Sequence, residues 1–276
     1  MSTTKTPNTD PSKTLVQQQF GTNAANYVVS TVHSKGASLQ RMVDLVCPQS
    51  NWLALDVATG GGHTALAFAR HVSYVTASDL TAEMLEQVKR QIADRGIKNI
   101  DTALADAEDL PFEDAAFDLI TCRIAPHHFP DIAKFVSEVY RTLRPGGVFA
   151  LVDNISPDSA STPGFSDGDM LEAANTYNEF EKIRDPSHGR AWQPSEWANC
   201  ITSAGFEITH QEFIPKPMNF DVWCRNMSVP ADRIPGLEAM LREAKPAFKA
   251  YIRPEDTDKG LGFTLTELMV IAQKPL

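Results

Sequence analysis

The sequence lacks the features that mark membrane, secreted and metal-binding proteins. No apolar stretch approaches the ~20 residues that cross a bilayer, and the polar first residues lack the apolar segment of a secretory signal. Only four cysteines occur, and their wide separation matches no metal-ligand spacing: Cys47, Cys122, Cys200 and Cys224. We therefore expect a cytoplasmic protein with reduced thiols and no membrane insertion.

Basic residues are also scarce. The 25 Lys and Arg residues against 35 Asp and Glu residues give a net charge of −10, and no basic cluster stands out. Nucleic-acid binding depends on Lys and Arg contacts to phosphates, so the composition argues against a DNA or RNA partner. The 276 residues, 42% of them hydrophobic, are enough for one large domain or a domain with a cap, and they leave a homodimer open.

One stretch organises the chain. Residues 53–57 form a short apolar run, the glycines Gly60, Gly61 and Gly62 follow, and residues 65–70 resume with a helical pattern. A strand, a glycine-rich turn and a helix together form the unit that binds nucleotides at the carboxyl end of a parallel sheet. Glycines let the backbone approach a ligand, and the helix directs its free N–H groups at the turn. This stretch therefore predicts a nucleotide-containing cofactor.

Two cofactors fit this stretch. The spacing Gly60-x-Gly62-x-x-Ala65, with Asp79 nineteen residues after Gly60, matches a dinucleotide fingerprint and would indicate an NAD(P)-dependent oxidoreductase. Asp56, four residues before the first glycine, would face a pyrophosphate poorly but would suit the ammonium group of S-adenosylmethionine. Asp56 therefore favours S-adenosylmethionine, with the oxidoreductase as the alternative.

The rest of the chain predicts an α/β fold. Apolar strands at 53–57, 74–78, 100–104, 117–122 and 148–152 alternate with helices, which indicates a parallel, doubly wound sheet. Two more strands are predicted at 206–213 and 263–271. The expected fold is a Rossmann-like, mostly parallel sheet of seven strands, with N-terminal helices and helical cap insertions flanking the sixth strand.

The same pattern predicts five segments. They are a disordered tail (1–13), an N-terminal helical segment (14–50), a cofactor-binding core (51–153), a cap insertion (154–205), and the C-terminal strands (206–276) with a second cap insertion at 215–262.

Further signals follow the glycine stretch in a fixed order. Asp79 ends the second strand, Asp106-Ala107-Glu108 follows the third, and Arg144-Pro145-Gly146-Gly147 precedes the fifth. Together with Asp56 and the glycines, this set resembles the class I S-adenosylmethionine-dependent methyltransferases, in particular the UbiE-like family related to ubiquinone and menaquinone biosynthesis. The resemblance covers about residues 14–153. One departure is Ala58, which stands where the family motif has its first glycine.

The resemblance implies a set of cofactor-binding positions: Tyr27, Asp56, Ala58, Gly60, Gly62, Asp79, Leu80, Met84, Asp106, Ala107, Glu108 and Arg123. It implies that Asp56 holds the ammonium group of the cofactor, Asp79 the ribose hydroxyls and Asp106 the adenine amino group. Met84 would pack on adenine, while Arg123 and Tyr27 would lie near the cofactor's carboxylate.

Each of these positions also has a structural interpretation. Asp56 would tie down the glycine loop, Asp79 would cap a helix in rivalry with Thr81, and Asp106 would be a solvated loop acid. Met84 would be an ordinary core methionine. Arg123 would form a surface ion pair, and Tyr27 would simply pack in the N-terminal helix.

Three histidines are candidate catalytic bases. His127 and His128 follow the fourth strand, next to the predicted cofactor, and His33 lies in the N-terminal helical segment. Histidine titrates near neutrality, and a base is needed only if the acceptor loses a proton. The alternative is a loop histidine bonded to backbone. A metal site formed by these three residues is disfavoured, because no carboxylate or cysteine spacing accompanies them.

The cap insertions are rich in methionine and aromatic residues: Met170, Tyr177, Phe180, Trp192, Met218, Phe220, Trp223 and Met227. Such residues suit either an apolar acceptor pocket or an ordinary cap core. The expected function is methyl transfer to a small organic acceptor, at oxygen or carbon of an aromatic or quinol-like ring first and at nitrogen second. A non-catalytic subunit that binds S-adenosylmethionine is the alternative from another functional class.

Overall fold

The computed structural model describes residues 10–29 and 37–276, in which helices flank a mixed sheet. The strands are β1 Leu53–Val57, β2 Tyr74–Asp79, β3 Ile100–Leu104, β4 Phe117–Arg123, β5 Leu143–Asn154, β6 Glu207–Asn219, β7 Glu255–Thr257 and β8 Gly260–Gln273. The helices are α1 Pro11–Val29, α2 Ala37–Val46, α3 His63–Phe68, α4 Ala82–Arg95, α5 Ile132–Thr142, α6 Asp167–Arg184, α7 Pro194–Ser203, α8 Phe220–Asn226, α9 Ile234–Arg242 and α10 Pro246–Ile252. A short 3₁₀ helix covers Pro126–His128.

The sheet has the strand order β3-β2-β1-β4-β5-β8-β6. The first five of these strands are parallel, and β8 runs antiparallel to both β5 and β6. The expected Rossmann-like, mostly parallel fold is confirmed. The expected number of seven strands is one too low, because β7 pairs with β8. β7 has only three exposed residues, so no hydrophobic alternation marks it in the sequence.

The strand order reverses between β1 and β4. The chain leaves β1 towards β2 and β3 on one side, and the later strands are added on the other side, beginning with β4. In open α/β sheets, ligands bind at such a switch point, outside the carboxyl ends of the strands. The loops that follow β1, β2, β3 and β4 therefore form the expected ligand edge.

Two segment boundaries differ from those predicted. Helix α1 begins at Pro11, so residues 11–13 are helical and are not part of a disordered tail; the Ser12 N–H donates to Asp10 Oδ1 at 2.9 Å. Strand β6 continues to Asn219 through Pro215 and Pro217, which had been assigned to the second cap insertion. Because β6 is the edge strand, prolines without an N–H are tolerated there.

The core is divided between the two faces of the sheet and the cap. Most of the cap's methionine and aromatic side chains are buried against one another in a separate cluster that includes Tyr177, Phe180, Phe220 and Trp223. Trp192 packs instead against the core beneath the sheet. These contacts support the interpretation of the residues as a cap core.

Within the described part of the chain, no helix combines the length and the apolar character needed to span a membrane. The four cysteines all lie in that part and carry free thiols.

We expect Trp223→Ala to destabilise the protein by about 3–5 kcal/mol, because it leaves a large cavity in the cap core. The Trp223 indole is fully buried, stacked on Phe180 at 4.5 Å and edge-on to Phe263 at 5.2 Å between ring centroids. Urea unfolding monitored by circular dichroism measures the loss.

Trp223→Phe is the matched control. It keeps an aromatic ring and removes an indole N–H that has no hydrogen-bond partner among the described residues. The control should cost much less than the alanine variant. Equal losses would contradict the assignment of the stability to ring packing.

Candidate active site

The loop after β1 is built on left-handed backbone conformations. Ala58, Gly60 and Gly62 have φ angles of 52°, 52° and 81°. A Cβ on Gly60 would meet no atom within 4 Å, so this face of the loop is open, whereas a Cβ on Gly62 would lie 3.1 Å from a methyl group of Val88. Ala58 adopts the conformation that a glycine would adopt more easily, at a cost of roughly 1 kcal/mol.

Asp56 holds this loop in place through hydrogen bonds. Its Oδ2 accepts hydrogen bonds from Thr59 Oγ1 at 2.6 Å and from the Ala65 N–H at 3.1 Å, and its Oδ1 accepts one from Thr121 Oγ1 at 2.7 Å. Burial raises the pKa of Asp56 to about 6, although these hydrogen bonds and the Arg123 guanidinium oppose the rise. The carboxylate therefore supports the loop, and it also lines the cavity above it.

Asp79 connects the end of β2 to the same loop. Its Oδ2 accepts the Gly60 N–H and its Oδ1 accepts the Thr81 N–H, both at 2.9 Å. Burial raises the pKa of Asp79, and the hydrogen bonds from Thr81 and Gly60 partly counteract this. The N-cap of α4 is Thr81, so Asp79 is not the cap residue. Its carboxylate lies on the cavity wall.

Asp106 and Glu108 follow β3 and share one lysine. Lys13 Nζ lies 2.7 Å from Asp106 Oδ2 and 2.6 Å from Glu108 Oε2. The other Glu108 oxygen accepts the N–H of Asp131 at 2.7 Å. Lys13 falls within residues 1–13, which the sequence predicts to be a disordered tail, and it is therefore absent from the predicted site residues. The signal for it was present, because Lys13, Val16 and Phe20 recur at helical spacing and all three line the cavity.

Arg123 ends β4 and lies on the cavity wall. Its Nε donates to Thr64 Oγ1 at 3.2 Å, which links β4 to the start of α3. Burial lowers the pKa of Arg123, while the charges of Glu267 and Asp56 act in the opposite direction.

His128 lies on the cavity wall in a neutral form. Its Nδ1 lies 3.0 Å from the carbonyl oxygen of Ser187, which can only accept, so Nδ1 carries the proton. Its Nε2 is 4.0 Å from Asp185 Oδ2, too far for a hydrogen bond. Burial, and then the charge of His127, lower the pKa of His128 to about 3. The edge of the Phe20 ring packs against the imidazole, with 5.0 Å between ring centroids.

His127 is held in a different way, and it is not among the residues that line the cavity. Its Nδ1 lies 2.6 Å from Asp153 Oδ1, at the end of β5. Burial favours the neutral form, but the Asp153 carboxylate together with the charges of Glu181 and Asp185 outweighs it and raises the pKa of His127. The two neighbouring imidazoles, 4.2 Å apart between centroids, thus differ in their charge preference.

The cavity brings together most of the predicted site residues: Asp56, Ala58, Gly60, Asp79, Leu80, Met84, Asp106, Ala107, Glu108, Arg123 and His128. Gly62 does not line the cavity; its left-handed backbone conformation forms part of the turn. His33 and the side chain of Tyr27 lie outside the described residues. Among the described residues, no group of three or more His, Cys, Asp or Glu side chains is arranged to hold a metal ion.

The cavity is lined by residues from the carboxyl ends of four neighbouring strands. Asp106 follows β3 and His128 follows β4, three strand spacings apart in the order β3-β2-β1-β4, which corresponds to about 14 Å. The space between its lining residues, including the opening to solvent, is about 1050 Å³. It therefore has an acidic end at β3 and a histidine and aromatic end at β4, where Phe129 and Pro130 complete the wall.

Two known proteins resemble this chain over most of its length. A family model described as "Methyltransferase domain" matches residues 55–151. The uncharacterized methyltransferase YcgJ of Bacillus subtilis is 34% identical over 214 residues, which cover 78% of this chain and 80% of YcgJ. The crystal structure of BH2331 from Bacillus halodurans is 36% identical, with a TM-score of 0.78, and the match covers 87% of this chain and 100% of BH2331.

A further relative matches over a shorter range. The ubiquinone/menaquinone biosynthesis C-methyltransferase UbiE of Rickettsia bellii is 37% identical over 113 residues, which cover 38% of this chain and 46% of UbiE. Less than half of that enzyme is therefore represented in the match.

We expect Asp56→Asn to remove a pH dependence of stability. The amide oxygen can accept from Thr59 and Ala65 while the amide NH₂ donates to Thr121 Oγ1, so the local hydrogen bonds persist. Because the folded pKa of about 6 exceeds the unfolded value of ~3.9, the native carboxyl group binds more protons than the unfolded one in this range. Its stabilising contribution is complete below pH ~4 and is lost as the pH rises through about 6.

Relative to the Asn variant, the wild-type protein should lose on the order of 3 kcal/mol between about pH 4 and pH 7. Urea unfolding of the ligand-free proteins across this range measures the difference. A difference that does not change with pH would contradict the raised pKa.

Proposed function

Because the chain belongs to the family of S-adenosylmethionine-dependent methyltransferases, we propose that it transfers the methyl group of this cofactor to a small organic acceptor. S-adenosylmethionine is the cofactor that Asp56 and the glycine loop predicted. The oxidoreductase alternative has no support, since the relatives are named as methyltransferases.

The cavity's chemistry fits this cofactor. Gly60 leaves open space above the loop, and Asp56, Asp79 and Asp106 line the cavity after three neighbouring strands. In the proposed arrangement Asp106 binds the adenine amino group, Asp79 the ribose hydroxyls and Asp56 the ammonium group. Leu80, Met84, Ala107 and Glu108 would surround the base, while Arg123 and Tyr27 would lie near the carboxylate.

When bound, S-adenosylmethionine supplies a methyl group that its sulfonium makes electrophilic. The chain has to align the acceptor and exclude water. Val16, Phe20 and Phe129 are apolar parts of the cavity wall and suit that task.

The observation that carries the proposal is the position of His128. It follows β4, and Asp106 follows β3, two strands whose axes are about 14 Å apart, so a cofactor with adenine at Asp106 would direct its other end towards His128. Phe20 and Phe129 lie beside this histidine on the wall and favour a flat, apolar acceptor. The cap's aromatic residues do not add to this wall, because they fill the cap core.

We favour oxygen or carbon of an aromatic or quinol-like ring as the methylated atom, with nitrogen second. The name of the partially matching UbiE relative, a C-methyltransferase, supports carbon. Methylation at oxygen places positive charge on that oxygen, and methylation at carbon places it on the ring; in both cases the proton on the methylated atom becomes strongly acidic. Neutral His128 can accept that proton at Nε2 despite its lowered pKa, while the Asp185 carboxylate lies 4.0 Å away.

His127 is the second candidate base. Its pairing with Asp153 behind the wall suits it to support His128 more than to contact the acceptor. His33 stays a candidate from the sequence alone.

We expect Asp79→Ala to weaken S-adenosylmethionine binding by ~1–3 kcal/mol, through the loss of a buried charged hydrogen-bond acceptor. Isothermal titration calorimetry with S-adenosylmethionine, and with NAD as the negative control, measures the change. Asp94→Ala, at an exposed position of α4, is the matched control and should bind normally. Unchanged affinity in a folded Asp79→Ala protein would remove Asp79 from the site.

We expect His128→Ala to lower turnover more than it lowers S-adenosylmethionine affinity. The measurement is methyl transfer from labelled cofactor to a panel of phenols, quinols and amines, with exposed His71→Ala as the control. Because the pKa of His128 is lowered to about 3, its titration should leave no step in the wild-type rate between pH ~5 and ~8.

Equal losses of turnover and affinity would argue against a role for His128 at the acceptor. Tight cofactor binding with no acceptor methylated would favour the non-catalytic partner subunit instead.

A further inference from the structure

Lys13 is a buried cation in the wall of the cavity, beside the acidic residues that follow β3. Only 7% of its surface is exposed, and its ammonium group is within 2.7 Å of both the Asp106 and the Glu108 carboxylate. The side chains of these two acids are 17% and 7% exposed. An ion pair removed from water in this way differs from surface pairs, which contribute little.

The ammonium group and the two carboxylates depend on one another. Burial alone would lower the pKa of Lys13, but the hydrogen bonds to Asp106 and Glu108 raise it, so the lysine stays charged. Without it, two neighbouring carboxylates would be left largely desolvated with no cation between them. Removing one partner of a buried pair is strongly destabilising for that reason.

Lys13 belongs to a helix that forms one wall of the cavity. Val16 and Phe20 of α1 line the cavity together with Lys13. Gln17 Nε2 donates to the Leu80 carbonyl oxygen at 3.0 Å, and Gly21 packs against the Glu83 side chain of α4. From Lys13 to Phe20 the helix rises about 10 Å, so it extends from the acidic end of the cavity to the ring of His128.

Helix α1 is attached in other ways as well, since it packs against α4. The hydrogen bond from Gln17 is exposed to solvent, so its net contribution is on the order of 1 kcal/mol. Val16 and Phe20 line the cavity, and the Phe20 ring also packs against His128. The double ion pair of Lys13 adds a buried, charged attachment of this helix to the acidic residues that follow β3.

We propose that Lys13 is a cofactor-site residue that latches α1 over the cavity through Asp106 and Glu108, and that this latch has to release for the cofactor to enter or leave. The proposal rests on the proposed function in so far as the β3 end holds the adenine. It assigns Lys13 a positioning role, because it acts through the helix and the two carboxylates. The residue thereby sets how long the cofactor is retained.

The test compares Lys13→Met with Lys13→Arg and Lys89→Met. Methionine keeps the length and the apolar stem of the side chain but has no charge, and arginine restores the charge. Lys89 lies on α4, pairs only with the exposed Glu86 at 2.7 Å among the contacts described here, and is 54% exposed, so Lys89→Met is the same chemical change at a surface pair.

The first readout needs no ligand. Amide hydrogen exchange of residues 11–21 should be faster in Lys13→Met by at least about tenfold, with the exchange of the sheet strands unchanged. Lys13→Arg and Lys89→Met should resemble the wild type. An α1 that exchanges equally in Lys13→Met and wild type, or that is already unprotected in the wild type, would overturn the latch.

The second readout is stopped-flow release of S-adenosylmethionine. Lys13→Met should release it at least about tenfold faster and bind it more weakly, with Lys13→Arg close to wild type. Unchanged release would overturn the proposal, and so would tighter binding, because Lys13 would then compete with the cofactor. If the wild type binds no S-adenosylmethionine, the proposed function fails, while the exchange experiment still decides the latch.

If Lys13→Met does not fold, Glu108→Gln replaces it. The amide oxygen can still accept the Asp131 N–H, while one carboxylate charge is lost. The hydrogen-exchange rate of α1 and the release rate of S-adenosylmethionine should both rise, by a smaller factor than in Lys13→Met. A folded Glu108→Gln protein with wild-type exchange and release would count against the latch.

Discussion

The cavity at the sheet edge depends on one buried carboxylate. Asp56 joins the end of β1 to the glycine loop through Thr59, to the start of α3 through Ala65 and to β4 through Thr121. Burying this group is unfavourable, as its raised pKa shows, and the three hydrogen bonds offset part of that cost. The loop can then keep its left-handed residues, including Ala58, in the positions that open the cavity to a ligand.

The order of the strands gives the cavity its direction. Because β3, β2, β1 and β4 are neighbours in that order, the acidic residues at or just beyond the carboxyl ends of the first three strands lie in a row, and the loop with His127 and His128 follows at β4. A ligand with hydrogen-bond donors at one end and a reactive group at the other has only one favourable orientation in such a site. Lys13 partly neutralises the negative charge at the β3 end of the cavity, where Asp106 and Glu108 would otherwise repel each other.

The protonation of His127 and His128 depends on the group that each imidazole contacts. His127 faces the Asp153 carboxylate and gains a proton more easily, whereas His128 donates to the Ser187 carbonyl and stays neutral. Ser187 and Asp185 follow α6, so the cap contributes to the site by orienting His128. The cap's methionine and aromatic residues stabilise the cap itself.

The sequence predicts the parallel sheet, the glycine loop and the acidic residues at or near the ends of β1, β2 and β3, because alternation, glycine spacing and strand-end acids are local patterns. It also predicted histidines beside the cavity, but it could not distinguish His127 from His128, since their difference comes from Asp153 and Ser187, which are distant along the chain. Only the tertiary structure showed that Lys13 reaches Asp106 across 93 residues and that the cap's aromatic residues form a core. The physical reason is that charge pairing and burial depend on which segments meet in space, and no local periodicity encodes that.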